Sequence, residues 1–351
     1  MAVEIYSTDT DSGQLTVIRK DGHADYRVVK EIPVGNAPRG SVKFTRDGRG
    51  FVSNTSANHI SEIDALTHRE VARITVGFGP RGLGIVPGER YLLASNSGSN
   101  TVSVVDLEAR EEVCQVAVGR DPRHMAINKE GTVAYISVWG SGYIAKLDLT
   151  PLAEGRPDLV RESGRIVIGE NTHPYSLNID RTGGRALVAC NSVAEIPVID
   201  LSTDRVIARV PVEIDGMRAV AFTNDNEYAL VTVERNSTVA VVDLRDYRVT
   251  RYIPVGPGPR GITIDDDDTF YISAFARPTT MLGDHEMEPH SVTVVHLDGV
   301  DLSTDDGDAQ FEEVRVGYGP CSVSIFDTEK VSYDAQKLNE AAEELASTTV
   351  A

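Results

Sequence analysis

The chain has 351 residues, 41% of them hydrophobic, with 53 acidic against 34 basic side chains and a formal net charge of -19. So acidic a surface disfavours general adhesion to nucleic acid or anionic lipid. Cys114, Cys190 and Cys321 are odd in number and scattered, which excludes a disulfide framework and paired zinc ligands.

Residues 1–10 lack the basic start and apolar run of a secretory signal, and no stretch is long enough to span a bilayer, so a cytoplasmic, membrane-free protein is expected. Three strand-like runs follow, at 3–7, 14–19 and 26–34. A repeated phrase then begins: a Val-Gly pair, a short turn, Pro-Arg-Gly and a short apolar strand. Its first copies are Val34-Gly35 with Pro38-Arg39-Gly40 and Val76-Gly77 with Pro80-Arg81-Gly82. Later copies drift, through Pro122-Arg123, Pro174-Tyr175, Met217-Arg218 and Pro259-Arg260 to Pro320-Cys321. Gly35, Gly77 and Gly119 are 42 residues apart, a period that suits four short strands and their turns.

The second unit divides most cleanly, into strands at 81–86, 91–96, 101–107 and 112–118. The same division fits 38–77, 122–169, 174–212, 217–256 and 259–317, which makes six complete blades. A lone seventh inner strand at 320–326 needs partners, and the three N-terminal runs supply them. The expected fold is therefore all-β: a seven-bladed β-propeller of four-stranded antiparallel blades, closed by pairing of the N-terminal strands with the last strand. One propeller domain covers 1–333, its seventh blade built from 2–34 plus 320–326. The tail, 334–351, is rich in Ala, Leu, Glu and Lys and predicts a short helix.

The second strands end in Phe51-Val52-Ser53-Asn54, Leu93-Ala94-Ser95-Asn96, Tyr135-Ile136-Ser137-Val138, Leu230-Val231-Thr232-Val233 and Tyr271-Ile272-Ser273-Ala274. With the Val-Gly phrase, these resemble the Tyr-Val-Thr-Asn family of propeller repeats over nearly the whole chain. The resemblance implies the fold and says little of function; secreted members carry a signal, from which this sequence departs. Seven-bladed lactonases and a streptogramin-cleaving lyase are similar in architecture, an analogy of fold alone. Third strands end in Asp64, Asp106, Asp148, Asp200 and Asp243, where an Asp accepts backbone N–H groups of the next turn. His296 takes that place in blade 6.

Up-and-down connectivity puts the loops leading into each inner strand on the same face as those joining strands two and three. Arg39, Arg81, Arg123, Arg218 and Arg260, with Tyr175 and Cys321, would then encircle one channel mouth. Like charges so gathered call for carboxylates or for an anionic ligand. Bridging of neighbouring blades is the competing role. Cys321 is either a packed thiol or a thiolate activated by the arginines. His124, His173 and Glu234 on this face are candidate acid–base groups, and Trp139 and Tyr143 a candidate wall for a ring or acyl group.

Blade 6 carries an insertion at 275–290 that includes His285, Glu286 and His290, candidates for a divalent metal or for acid–base work. A solvated loop is the alternative. Together these features predict a binder of a small anionic or aromatic organic molecule, with lyase, lactone-hydrolase or isomerase chemistry in view. A non-catalytic scaffold for a protein partner is the second reading. Nucleic acid is disfavoured by charge and by few aromatic residues.

Overall fold

The computed structural model describes residues 3–22, 25–275, 290–297, 299–305 and 309–330. Seven four-stranded antiparallel sheets form the ring of a seven-bladed β-propeller. The inner strands are Pro38–Phe44, Pro80–Ile85, Pro122–Ile127, Pro174–Ile179, Met217–Phe222, Pro259–Ile264 and Pro320–Asp327, taken as blades 1 to 7. Blade 7 joins the two chain ends, since Pro320–Asp327 pairs with Val3–Asp9, which continues through Gln14–Lys20 to Tyr26–Pro33. The tail predicted as a helix lies outside the described residues, among which no helix is long and apolar enough to cross a membrane.

The repeated residues have identifiable work. In three of the tetrads, at Ser95, Ser137 and Thr232, the hydroxyl accepts a hydrogen bond from the inner strand of its own blade and donates one to the next blade. Ser95 Oγ accepts from Gly82 N–H at 3.0 Å and donates to the Arg123 carbonyl at 2.5 Å. Ser137 and Thr232 do the same to the carbonyls of Tyr175 (2.9 Å) and Arg260 (2.8 Å), and Ser53 reaches that of Arg81 (2.5 Å). Two residues beyond the tetrad hydroxyl position, Thr10, Thr55 and Ser97 donate to the carbonyls of Pro38, Pro80 and Pro122, each one residue before the ring position. Blade 4 has Ala189 in place of the tetrad hydroxyl, and there the ring of Tyr175 meets the Arg218 guanidinium of blade 5 at 4.5 Å.

Glycine permits this close approach. A Cβ on Gly82 would stand 2.4 Å from the Arg123 carbonyl oxygen, and one on Gly77 would stand 2.5 Å from the Asn96 side chain of the tetrad. The turn aspartates behave as the sequence implies: Asp64 accepts from the N–H groups of Leu66 and Thr67, and Asp106 and Asp200 accept from their own turns. His296 instead lies 3.5 Å from Glu312. Apolar side chains such as Leu83, Met125, Leu177 and Val323 pack between blades, nearly or fully buried.

Replacing Ser95 with Ala strands the buried Gly82 N–H and Arg123 carbonyl. Stability should fall by about 1–3 kcal/mol, readable as a shift in the urea midpoint at unchanged slope. A midpoint equal to that of the wild type would deny the hydroxyl its role between blades.

Candidate functional site

The inner strands enclose a channel of about 710 Å³, lined at one end by Arg39, Arg81, Arg123, Tyr175, Arg218, Arg260 and Cys321. All seven occupy the position after the first inner-strand residue, where the hydroxyl bonds between blades hold the backbone. The lining carries eight Lys or Arg side chains and one described carboxylate, Asp180, in a chain of net charge -19. Asp180 is tied to Arg185 at 2.9 Å and to Thr182 at 2.7 Å.

The arginine ring is not uniform. Arg123 pairs with Asp121 at 2.7 Å, while Arg218 and Arg260 share the buried carboxylate of Glu234. Their planar faces are also used. Arg123 lies over Trp139 (4.1 Å) and Tyr175 (4.9 Å), Arg218 also over Tyr175 (4.5 Å), and Arg260 over Phe275 at 3.6 Å. Arg39 and Arg81 have no carboxylate among the described residues, and the Nε of each is buried without a partner. Burial and the like charges of Arg123 and Arg39 push the Arg81 guanidinium below its ordinary value, though Tyr175 and Asp121 partly offset them. The ring thus has a compensated arc on blades 3, 5 and 6 and a bare arc on blades 1 and 2.

Cys321 lies beside the bare arc. Burial alone would raise its thiol, but the fields of Arg39, Arg260 and Arg81 prevail and lower it. Burial likewise works against ionisation of Tyr175, while Arg218, Arg260 and Arg123 lower its phenol. His124 follows the opposite course: burial, then the ammonium of Lys43, drive its imidazole down to about 3. Its Nδ1 is buried without a partner. The side chain is neutral throughout the physiological range and offers a weak base rather than a cation.

The other expected site residues are dispersed. His173 stacks on Trp139 at 4.1 Å and meets Ser192 Oγ at 2.7 Å, extending the aromatic ladder outward from Arg123. Neither lines the channel. Tyr143 lies under the Gly119 turn, where a glycine Cβ would stand 2.4 Å from its hydroxyl, and its ring is covered by Arg165. Glu234 holds guanidinium groups with both oxygens. His290 accepts from Gly319 N–H at 3.3 Å, and His285 and Glu286 lie outside the described residues. Among the described residues no cluster of three His, Cys, Asp or Glu side chains is placed to hold a metal ion.

Lys43 is the lining residue that the repeat conceals. It pairs with Phe51, the register at which blades 2, 3 and 6 carry Gly84, Ala126 and Thr263. Blade 1 has one extra residue before that point, accommodated by Gly40 at φ 71°. Counting from Pro38 therefore misplaces it by one.

No family profile matches this chain, and neither does any curated protein. Among solved structures, hydrazine synthase from Kuenenia stuttgartiensis is similar at 20% identity and a TM-score of 0.67, over 85% of this chain and 98% of that one. A Bacteroides fragilis protein provisionally assigned as a 6-phosphogluconolactonase aligns at 12% identity and a TM-score of 0.76, over 93% and 98% of the two chains. A Bacteroides uniformis protein with the same provisional assignment gives 14%, 0.74, and coverage of 93% and 99%. At such identities these likenesses show the propeller fold alone.

Because the His124 imidazole titrates at about 3, its C2 proton should keep one chemical shift from pH 5 to pH 8 in an NMR titration. A midpoint near 6.5 would show that the site is wetter and less cationic than described.

Proposed function

We propose that the channel mouth binds a small anionic organic ligand on its bare arc, between Arg39 and Arg81, with Cys321 beside it. The observation that carries this reading is the pair of guanidinium groups without carboxylate partners among the described residues, in a channel whose lining is cationic although the chain is strongly acidic. Arginine suits planar, bidentate contact with carboxylate or phosphate, and low-dielectric walls focus the field of the mouth on an approaching anion. Once bound, the anion lies near a phenol and a thiol whose proton affinities the arginines lower, Tyr175 and Cys321. Those groups support acid–base chemistry of the lyase, lactone-hydrolase or isomerase kind. The provisional lactonase assignment of two structural neighbours agrees with that class at the level of fold. Three free cysteines favour a reducing, cytoplasmic setting. In this reading the chain is a member of the Tyr-Val-Thr-Asn repeat group adapted to a soluble ligand.

A scaffold role has one observation in its favour. Phe78 and Tyr318, 67% and 61% exposed, occupy equivalent turns on the same face, where a protein partner would meet them.

Calorimetric titration with citrate and with inorganic phosphate separates the two. Binding should weaken at least about ten-fold in Arg39→Gln plus Arg81→Gln, the loss expected for charge-assisted hydrogen bonds. Absence of heat with the wild type, or an affinity that the double variant leaves unchanged, would overturn the anion site.

A further inference from the structure

Lys43 stands two partner residues deeper than Arg39, since Arg39 pairs with Ser53 and Lys43 with Phe51. That is about 7 Å along the strand, within reach of one small ligand that touches both. No ion pair or hydrogen bond engages its ammonium among the described residues, although it lines the channel. Its surroundings disfavour the charge: the described lining holds one carboxylate, Asp180, and that is tied to Arg185 and Thr182. Burial shifts the amine toward its neutral form, as it does the neighbouring imidazole of His124. A desolvated lysine near other cations is the setting in which an amine becomes a nucleophile at neutral pH.

We propose that Lys43 is a carbonyl-reactive amine, which condenses with the ketone or aldehyde of an oxo acid whose carboxylate rests on Arg39 and Arg81. This rests on the anion-binding reading and assigns the substrate class. The Nζ lone pair forms a C–N bond while the carbonyl π pair moves to oxygen. One proton passes from nitrogen to that oxygen, giving a carbinolamine. The second N–H proton then goes to the hydroxyl as the nitrogen lone pair forms C=N and the C–O bond breaks, so water leaves with the C–O electron pair. An imine results, with neither oxidant nor reductant required. When protonated, it draws electrons from an adjacent C–H or C–C bond, the step that lyases and isomerases of oxo acids need. His124, the neighbouring imidazole, and Tyr175 and Cys321 at the mouth line the same channel and can exchange the proton released.

Trapping of the full-length protein tests the proposal directly. Levulinate with sodium cyanoborohydride should reduce the imine to a stable secondary amine on Lys43, located by peptide mass spectrometry. Labelling there should exceed that of the exposed Lys330 at least about ten-fold, and should exceed labelling by butanone, which has the ketone without the carboxylate. Lys43→Arg keeps a long basic side chain but cannot form an imine, so it should lose the adduct while citrate affinity does not fall. An unlabelled Lys43 beside labelled surface lysines overturns the imine and leaves the anion site standing if citrate still binds. Equal labelling by butanone overturns the oxo-acid assignment. Citrate affinity unmoved by Arg39→Gln plus Arg81→Gln overturns the anion site itself, and with it this inference.

Discussion

The hydrogen bond from the tetrad hydroxyl of one blade to the ring-residue carbonyl of the next is the contact on which the rest depends. Apolar packing between blades is non-directional and would by itself tolerate sliding. The hydroxyl sets the register. Since Ser53, Ser95, Ser137 and Thr232 act on Arg81, Arg123, Tyr175 and Arg260, the backbone atoms they fix are those that aim side chains at the channel. Stability and site geometry therefore share one set of bonds.

Holding five guanidinium groups around one mouth has an electrostatic cost, and the molecule offsets it unevenly. Glu234 serves two arginines and Asp121 a third, while aromatic faces cover Arg123, Arg218 and Arg260. Among the described residues Arg39 and Arg81 are paired with no carboxylate and stacked on no ring, and only the more distant Asp121 and Tyr175 partly offset Arg81, so the remaining charge is concentrated on two adjacent blades. Buried cations without counterions are unfavourable in isolation, and the proposed anion would relieve that cost on this arc. The same field lowers the Cys321 thiol and Tyr175 phenol, whereas burial lowers His124 and Lys43. One environment thus favours ionisation of the acids at the mouth and disfavours protonation of the nitrogens deeper in.

The ring was legible because the phrase has a constant period and its exceptions keep their place. Arg39 through Cys321 could be aligned by counting, and the closing strand by the lack of any other partner. Carboxylate partners were not legible as partners, since Asp121 and Glu234 sit in turns whose side-chain directions no period encodes. Glu234 stood out only as a polar residue on the right face. Tyr143 looked similar in sequence to Trp139, yet strand alternation buries it under the Gly119 turn. Lys43 was hidden by a single extra residue, because a bulge reverses the face that a two-residue alternation assigns.

The central claim is that the bare arc of Arg39 and Arg81 is a binding site and not only a join between blades. A crystal structure of the protein soaked in citrate addresses it most directly. The account predicts citrate within the channel mouth, with carboxylate oxygens at hydrogen-bond distance from both guanidinium groups and Glu234 still clasped by Arg218 and Arg260. A channel occupied by water alone at saturating citrate would contradict it.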